Sequence, residues 1–150
     1  MPDQLSRYRL ILLPVSGSES SLGAAAHAAM LARAMDATVA ILGVIDTSDG
    51  FSFGAEGMAA YQRLRAATQM AIEAASAVIR AAGVGRVEHL IMDGVPAEAI
   101  LEVADEQGAD LIVLGVRAML GDNSSGRVIG HVIQHARRPV LIVPTERKSR

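Results

Sequence analysis

The chain has 150 residues and a hydrophobic fraction of 51%, which suits one domain with one packed core and argues against wholesale disorder. Aromatics make up only 3%, so the core is aliphatic, and the absence of cysteine excludes disulfides and thiolate metal sites. A formal charge of −2 offers no basic field for nucleic acid, and no apolar run approaches the length of a membrane span. The polar start Met1–Tyr8 lacks the apolar stretch of a secretory signal, so a cytoplasmic address is the default expectation.

In chain order, two patterns alternate. Leu10–Val15 is a short aliphatic run that reads as a strand buried on both faces. It is followed by helical spacing at Ala28, Leu31, Ala32 and Met35, with Ser18, Ser20 or Ser21 available as the cap. Thr38–Ile45 reads as a second strand. Leu64, Ala67, Ala71 and Val78 predict a second helix, closed by Gly83. Arg86–Met92 is a third strand with Val87 and Ile91 as its β-formers. Pro96 then opens a helix carrying Ala97, Ile100, Leu101 and Ala104, and Gly108 ends it. Leu111–Leu114 is a fourth strand. A fourth helix, predicted to start near Arg127 or Gly130, carries Ile129, Val132, Ile133 and Ala136. Pro139 leads into the last strand, Val140–Val143. The charged tail Glu146, Arg147, Lys148 and Arg150 reads as a solvated end. Strict β-α alternation predicts one α/β domain with a parallel sheet, right-handed crossovers and helices on both faces.

Two polar stretches follow strands and so fall at the carboxyl edge of the sheet, where open α/β sheets bind ligands: Asp46–Gly57 and Val116–Gly126. The segment after the fourth strand is the more informative. Gly115 allows close approach to the backbone, and Ser124, Ser125, Gly126 and Arg127 lead into a helix start with free N–H groups. The residues alone leave two readings open, a phosphate-accepting loop or a loop that merely turns the chain and caps the helix. Ser16 and Ser18 likewise suit either a ligand or the cap of the first helix. His131 and His135 have the i, i+4 spacing of metal ligands, but no acidic third ligand is evident. His27 reads as a packed histidine and His89 as part of a structural strand. No Walker lysine, nucleophile elbow or Ser–His–Asp set is recognisable, so the chain reads as a binding or interaction protein, at most a slow ATPase.

Three blocks of the sequence resemble the universal stress protein family. Ile11–Ser18 is similar to its first strand and turn, and Gly94–Ile100 to the start of its third helix. Gly115–Gly130 with Arg138–Pro144 is similar to its glycine loop, last helix and last strand. The resemblance spans about residues 8–145 and implies a Rossmann-like domain, a five-stranded sheet in the order 3-2-1-4-5 with four helices, and a homodimer through Val140–Val143. It also implies a regulatory role and a site for ATP or another adenine nucleotide. The alternative is an interaction dimer of the same fold that binds no nucleotide.

Carried onto this sequence, the nucleotide site would comprise Pro14, Ser16, Val44, Leu114, Gly115, Arg117, Ala118, Gly130, His131 and Val132. The family's loop places Gly, two residues, Gly, nine residues, then Gly and Ser or Thr. Here Gly115 and Gly130 match its ends, Ala118 replaces the middle glycine, His131 replaces the hydroxyl residue, and the loop is two residues longer. Ser16 replaces the acidic residue of the first turn, and Ile133 stands where nucleotide-binding members can carry a hydroxyl. These departures predict weak ATP binding: a charged acceptor is lost at Ser16, and a methyl is added where backbone must come close.

Overall fold

The computed structural model describes residues 6–16, 19–48, 50, 54–116 and 123–144. Within them the chain runs β1 (Leu10–Val15), α1 (Glu19–Met35), β2 (Thr38–Asp46), α2 (Ala55–Ala81), β3 (Val87–Gly94), α3 (Pro96–Gln107), β4 (Leu111–Val116), α4 (Asn123–His135) and β5 (Val140–Pro144). The strands form one parallel sheet in the order β3-β2-β1-β4-β5, the Rossmann-like arrangement expected.

Successive residues of a strand face opposite sides, and here both sides are apolar, which explains the unbroken aliphatic runs. Ile11, Leu13 and Val15 of β1, with Val39 and Ile41 of β2, pack against the alanines of α1 and against Ile72, Ala75 and Ile79 of α2. Leu12, Ala40, Leu42, Ile112 and Leu114 turn the other way. Ile100, Val103 and Ala104 of α3 and Val132 of α4 cover them. The helices therefore pair as α1 with α2 on one face and α3 with α4 on the other.

Two predicted helices differ in detail. The buried stripe of α2 comprises Thr68, Ile72, Ala75, Ser76 and Ile79, whereas Leu64 and Ala67 are exposed. An alanine-rich helix has two plausible apolar faces, and β2 decides between them. Gly43 leaves a notch there: a Cβ at this position would stand 2.4 Å from Thr68 Cγ2 and 2.9 Å from Ile72 Cδ1. Helix α2 lays Thr68 and Ile72 into that notch, and the Thr68 hydroxyl donates to the Leu64 carbonyl at 2.8 Å. Helix α4 begins at Asn123, ahead of the predicted start at Arg127 or Gly130, so Gly130 lies well inside the helix.

The amino edge of the sheet is tied by side chains to backbone. Asp110 Oδ2 accepts the N–H groups of Arg9 at 2.8 Å and Leu10 at 3.1 Å, holding the start of β1 beside β4. Asp36, with φ of 56°, turns the chain out of α1 in the left-handed conformation that Asp tolerates better than most residues. Two arginines occupy that helix end. Arg7 donates to the carbonyls of Met35 and Asp36, and Arg86 donates to the Asp36 carbonyl at 2.6 Å and pairs with its carboxylate at 3.0 Å. Guanidinium groups suit this negative end of the helix dipole.

Candidate functional site

Right-handed β-α crossovers send every strand-to-helix turn to the same edge. At that edge β1 and β4 part. The β1–β2 ladder runs from Leu10–Thr38 to Val15–Gly43, but β1 and β4 pair only at Ile11–Leu111 and Leu12–Ile112 among the described residues. The strands diverge at the point where the crossovers change direction, the place where open α/β sheets accept ligands.

Above this edge, on the α3/α4 side, lies a cleft of about 360 Å³ lined by Asp46, Ser48, Val95–Glu98, Arg127, Val128 and His131. Each group is placed by local structure. Asp46 ends β2, and its Oδ1 accepts the Ser48 N–H at 2.9 Å and the Ser48 hydroxyl at 2.5 Å, closing a tight turn. The Thr47 N–H donates to the Gly94 carbonyl at 3.1 Å, tying this turn to the one after β3. Helix α3 then opens with Val95 at its N-cap, no side-chain cap bond, and Pro96 at its start. Its first turn carries Glu98. Arg127 and His131 are four residues apart on α4, so they share a helix face.

The residues named from the sequence fall into distinct groups. Pro14, Ser16, Val44, Leu114 and Gly115 lie at or near the carboxyl ends of the adjacent strands β1, β2 and β4, as expected. Ser16 is exposed, and its turn is held by the buried Ser21. The Ser21 hydroxyl accepts the Ser16 N–H at 2.9 Å and donates to the Ser16 carbonyl at 3.0 Å, so Ser21 braces the turn from inside α1. Leu114 and Val132 are buried core residues, which commits their side chains to packing. Gly130 is exposed inside α4, where its N–H belongs to the helix rather than to a free helix start. His131 lines the cleft. Arg117 and Ala118, together with Ser18, lie outside the described residues.

The histidines resolve differently. The His131 and His135 rings stack with centroids 4.3 Å apart, and His135 Nδ1 lies 3.0 Å from the His131 carbonyl. No cluster of three or more metal-ligating side chains occurs among the described residues. His27, expected to pack, is exposed on α1. His89 Nε2 meets the hydroxyl of the buried Ser76 at 3.0 Å, a contact between β3 and α2.

Most of the cleft lining was not singled out from the sequence. Asp46 and Ser48 sat in a stretch noted only as polar, and Pro96 and Glu98 were read as a helix start. The available signal was topological: the turn after β3 must reach the same edge as those after β1, β2 and β4. No helix among the described residues is long and apolar enough to cross a membrane.

Comparison with known proteins agrees with this architecture. A solved universal stress protein, UspA from Lactobacillus plantarum, shares the fold with a TM-score of 0.78 at 22% identity, covering 93% of this chain and 99% of that one. A universal stress protein solved in complex with cAMP is 29% identical, with a TM-score of 0.64 and coverage of 92% and 98%. A curated universal stress protein of Methanocaldococcus jannaschii is 34% identical over 146 residues, or 95% of this chain and 85% of the relative. The model of the universal stress protein family matches residues 7–144, nearly the whole of the folded core, and the chain belongs to that family.

Proposed function

We propose that this protein is a regulatory nucleotide-binding module that holds ATP or another adenine nucleotide in the cleft at the carboxyl edge, with modest affinity for ATP. The observation that carries this reading is the cleft itself, set between the carboxyl end of β2, the start of α3 and helix α4, and furnished with Arg127 and His131 on one face of α4. The relative solved with cAMP, at 29% identity, supports an adenine nucleotide as the ligand class. On this reading the backbone of Pro14, Val44, Leu114, Gly115 and Val132 borders the nucleoside. Ser16, Arg117, Ala118, Gly130 and His131 lie toward the sugar and phosphates. The modest affinity follows from Ser16 in place of an acid, Ala118 in place of a glycine, and Gly130 inside a longer α4, where its amide is engaged by the helix. The output is a change of partner or conformation rather than turnover.

We further propose a cytoplasmic homodimer joined through β5. That strand is a sheet edge, and Val140, Leu141 and Ile142 remain only half-buried in the single chain. An apolar edge strand favours pairing.

Calorimetric titration with ATP and AMP tests the ligand. Measurable binding is expected, and Ser16→Asp with Ala118→Gly should tighten ATP binding, by about 1–3 kcal/mol if a buried charged hydrogen bond is regained. Tight ATP binding that these changes leave untouched would refute the account of the departures. No binding by either protein would favour the alternative, an interaction dimer without nucleotide.

A further inference from the structure

Away from the cleft, at the amino edge of the sheet, a pocket of about 230 Å³ lies between the ends of α1 and α2 and the start of β3. We propose that this pocket binds a phosphate group carried by a small soluble molecule, with Arg33 and Arg86 as the residues that hold it. Arg33 stands in the last turn of α1 and Arg86 just ahead of β3, and the turn at residues 83–85 completes the lining. The two arginines are placed by different means. Arg86 Nη2 donates to the Asp36 carbonyl at 2.6 Å and pairs with the Asp36 carboxylate at 3.0 Å, and its Nε donates to the Thr38 hydroxyl at 3.3 Å. These contacts fix the guanidinium plane, and none of them uses Nη1. Arg33 reaches over the neighbouring helix end: its Nε would stand 4.0 Å from a Cβ at Gly83. Gly83 has φ of 95°, a conformation that favours glycine, so no side chain comes between this guanidinium and the turn. A Cβ at Gly85 would meet nothing within 4 Å, so the backbone is open there as well.

Basic residues at helix ends commonly serve the helix dipole. Here that role is filled without Arg33. Arg7 and Arg86 donate to the last carbonyls of α1, and the amides of Ala82, Gly83 and Val84 close the end of α2. Arg33 and the Nη1 of Arg86 therefore bring donors to one pocket from two elements. A phosphate monoester offers three acceptor oxygens and about −1.5 to −2 charge near neutral pH, and guanidinium groups are suited to it. Donors from two sides match that tetrahedral array better than a planar carboxylate, which a single fork satisfies. None of the exposed large apolar side chains among the described residues lines the pocket, so it offers no collar for a lipid chain. Asp36 also lines the pocket, and its carboxylate, held on Arg86, tempers the attraction. A bound phosphate would fasten the ends of α1 and α2 to the start of β3, at the edge opposite the cleft. That is the place of an effector, and the inference does not rest on the nucleotide reading.

The test is titration of the full chain with inorganic phosphate, at low ionic strength held constant with chloride and followed by amide NMR. Saturable shifts centred on Gly83, Gly85 and Arg86 are expected, and glycerol phosphate should produce them at least as readily. Arg33→Gln, at an exposed position, should weaken binding about tenfold or more, since charge-assisted bonds are lost. Arg63→Gln, exposed in the first half of α2, should change it less than about twofold and controls for general surface charge. Asp36→Asn keeps a residue that tolerates the left-handed turn and removes a negative charge from the wall, so it should tighten binding. Shifts that never saturate, that centre on the cleft, that spread evenly over the surface arginines or that Arg33→Gln leaves unchanged would overturn the proposal. So would binding seen only with vesicles of phosphatidylcholine and phosphatidic acid, which would make these arginines a membrane contact.

Discussion

Gly43→Ala probes whether the seat of α2 on the sheet is as tight as the geometry indicates. The new methyl would lie 2.4 Å from Thr68 Cγ2 and 2.9 Å from Ile72 Cδ1. Ile72 can swing its terminal carbon aside. Thr68 cannot easily turn, because its hydroxyl is bound to the Leu64 carbonyl and its side chain is branched at Cβ. Overpacking of this kind costs about 1–3 kcal/mol. Replacing a strand glycine with alanine returns about 0.5–1 kcal/mol by restricting the unfolded chain. The net expectation is a loss of about 1–2 kcal/mol, which for a chain of this size lowers Tm by roughly 3–6 °C. Thr68→Ser sharpens the test, since it deletes the obstructing methyl and keeps the hydroxyl. The clash should vanish in that background, giving a favourable coupling of about 1 kcal/mol between the two changes. Urea unfolding of the four proteins, read by circular dichroism, measures the cycle. A Gly43→Ala protein as stable as wild type, or a cost identical in the Thr68→Ser background, would refute the notch.

Other outcomes follow from contacts described above. Asp110→Ala removes the acceptor for the Arg9 and Leu10 amides and should lower stability by about 1–3 kcal/mol, seen as a reduced urea midpoint with unchanged slope. Val132→Ala, at a fully buried site between α4 and the sheet, should cost about 1–3 kcal/mol by thermal melting, from lost burial and the cavity left behind. Ile142→Lys places a charge on the half-buried edge strand β5 and should convert a dimer into a monomer by sedimentation at micromolar concentration. A wild-type mass of one chain under those conditions would rule out the homodimer.

The strands were legible because burial on both faces writes unbroken aliphatic runs such as Leu10–Leu13 into the sequence. Helix α3 was legible because Pro96 and Gly108 mark its two ends, and Gly108 adopts the left-handed conformation, φ 69°, that such endings require. The buried face of α2 was legible only in part: Ala71 and Val78 pack against the core, whereas Leu64 and Ala67 are exposed. Alanine satisfies either face, and the choice depended on Gly43, which is distant in sequence. The start of α4 was misjudged because Ser124, Ser125 and Gly126 have loop composition, yet the helix includes them. The edge that carries the cleft was legible through topology, and His131, named through family likeness, is one of the residues that line it. Arg127 was named with the loop that precedes it, but Asp46 and Glu98 escaped notice because a charged residue in a turn or on a helix has no signature until the fold brings such residues around one cleft.

The fastenings at the amino edge bear on how such a protein can change over time. Asp110, Arg7 and Arg86 tie β1 and the end of α1 far from the cleft, and their bonds run mainly to backbone groups, with Arg86 also reaching the Asp36 carboxylate and the Thr38 hydroxyl. Substitutions at the opposite edge, such as serine for an acid at position 16, leave those ties intact. The scaffold can then keep its shape while the ligand edge drifts, so specificity is free to diversify among descendants without each step having to be rescued by a compensating change in the core.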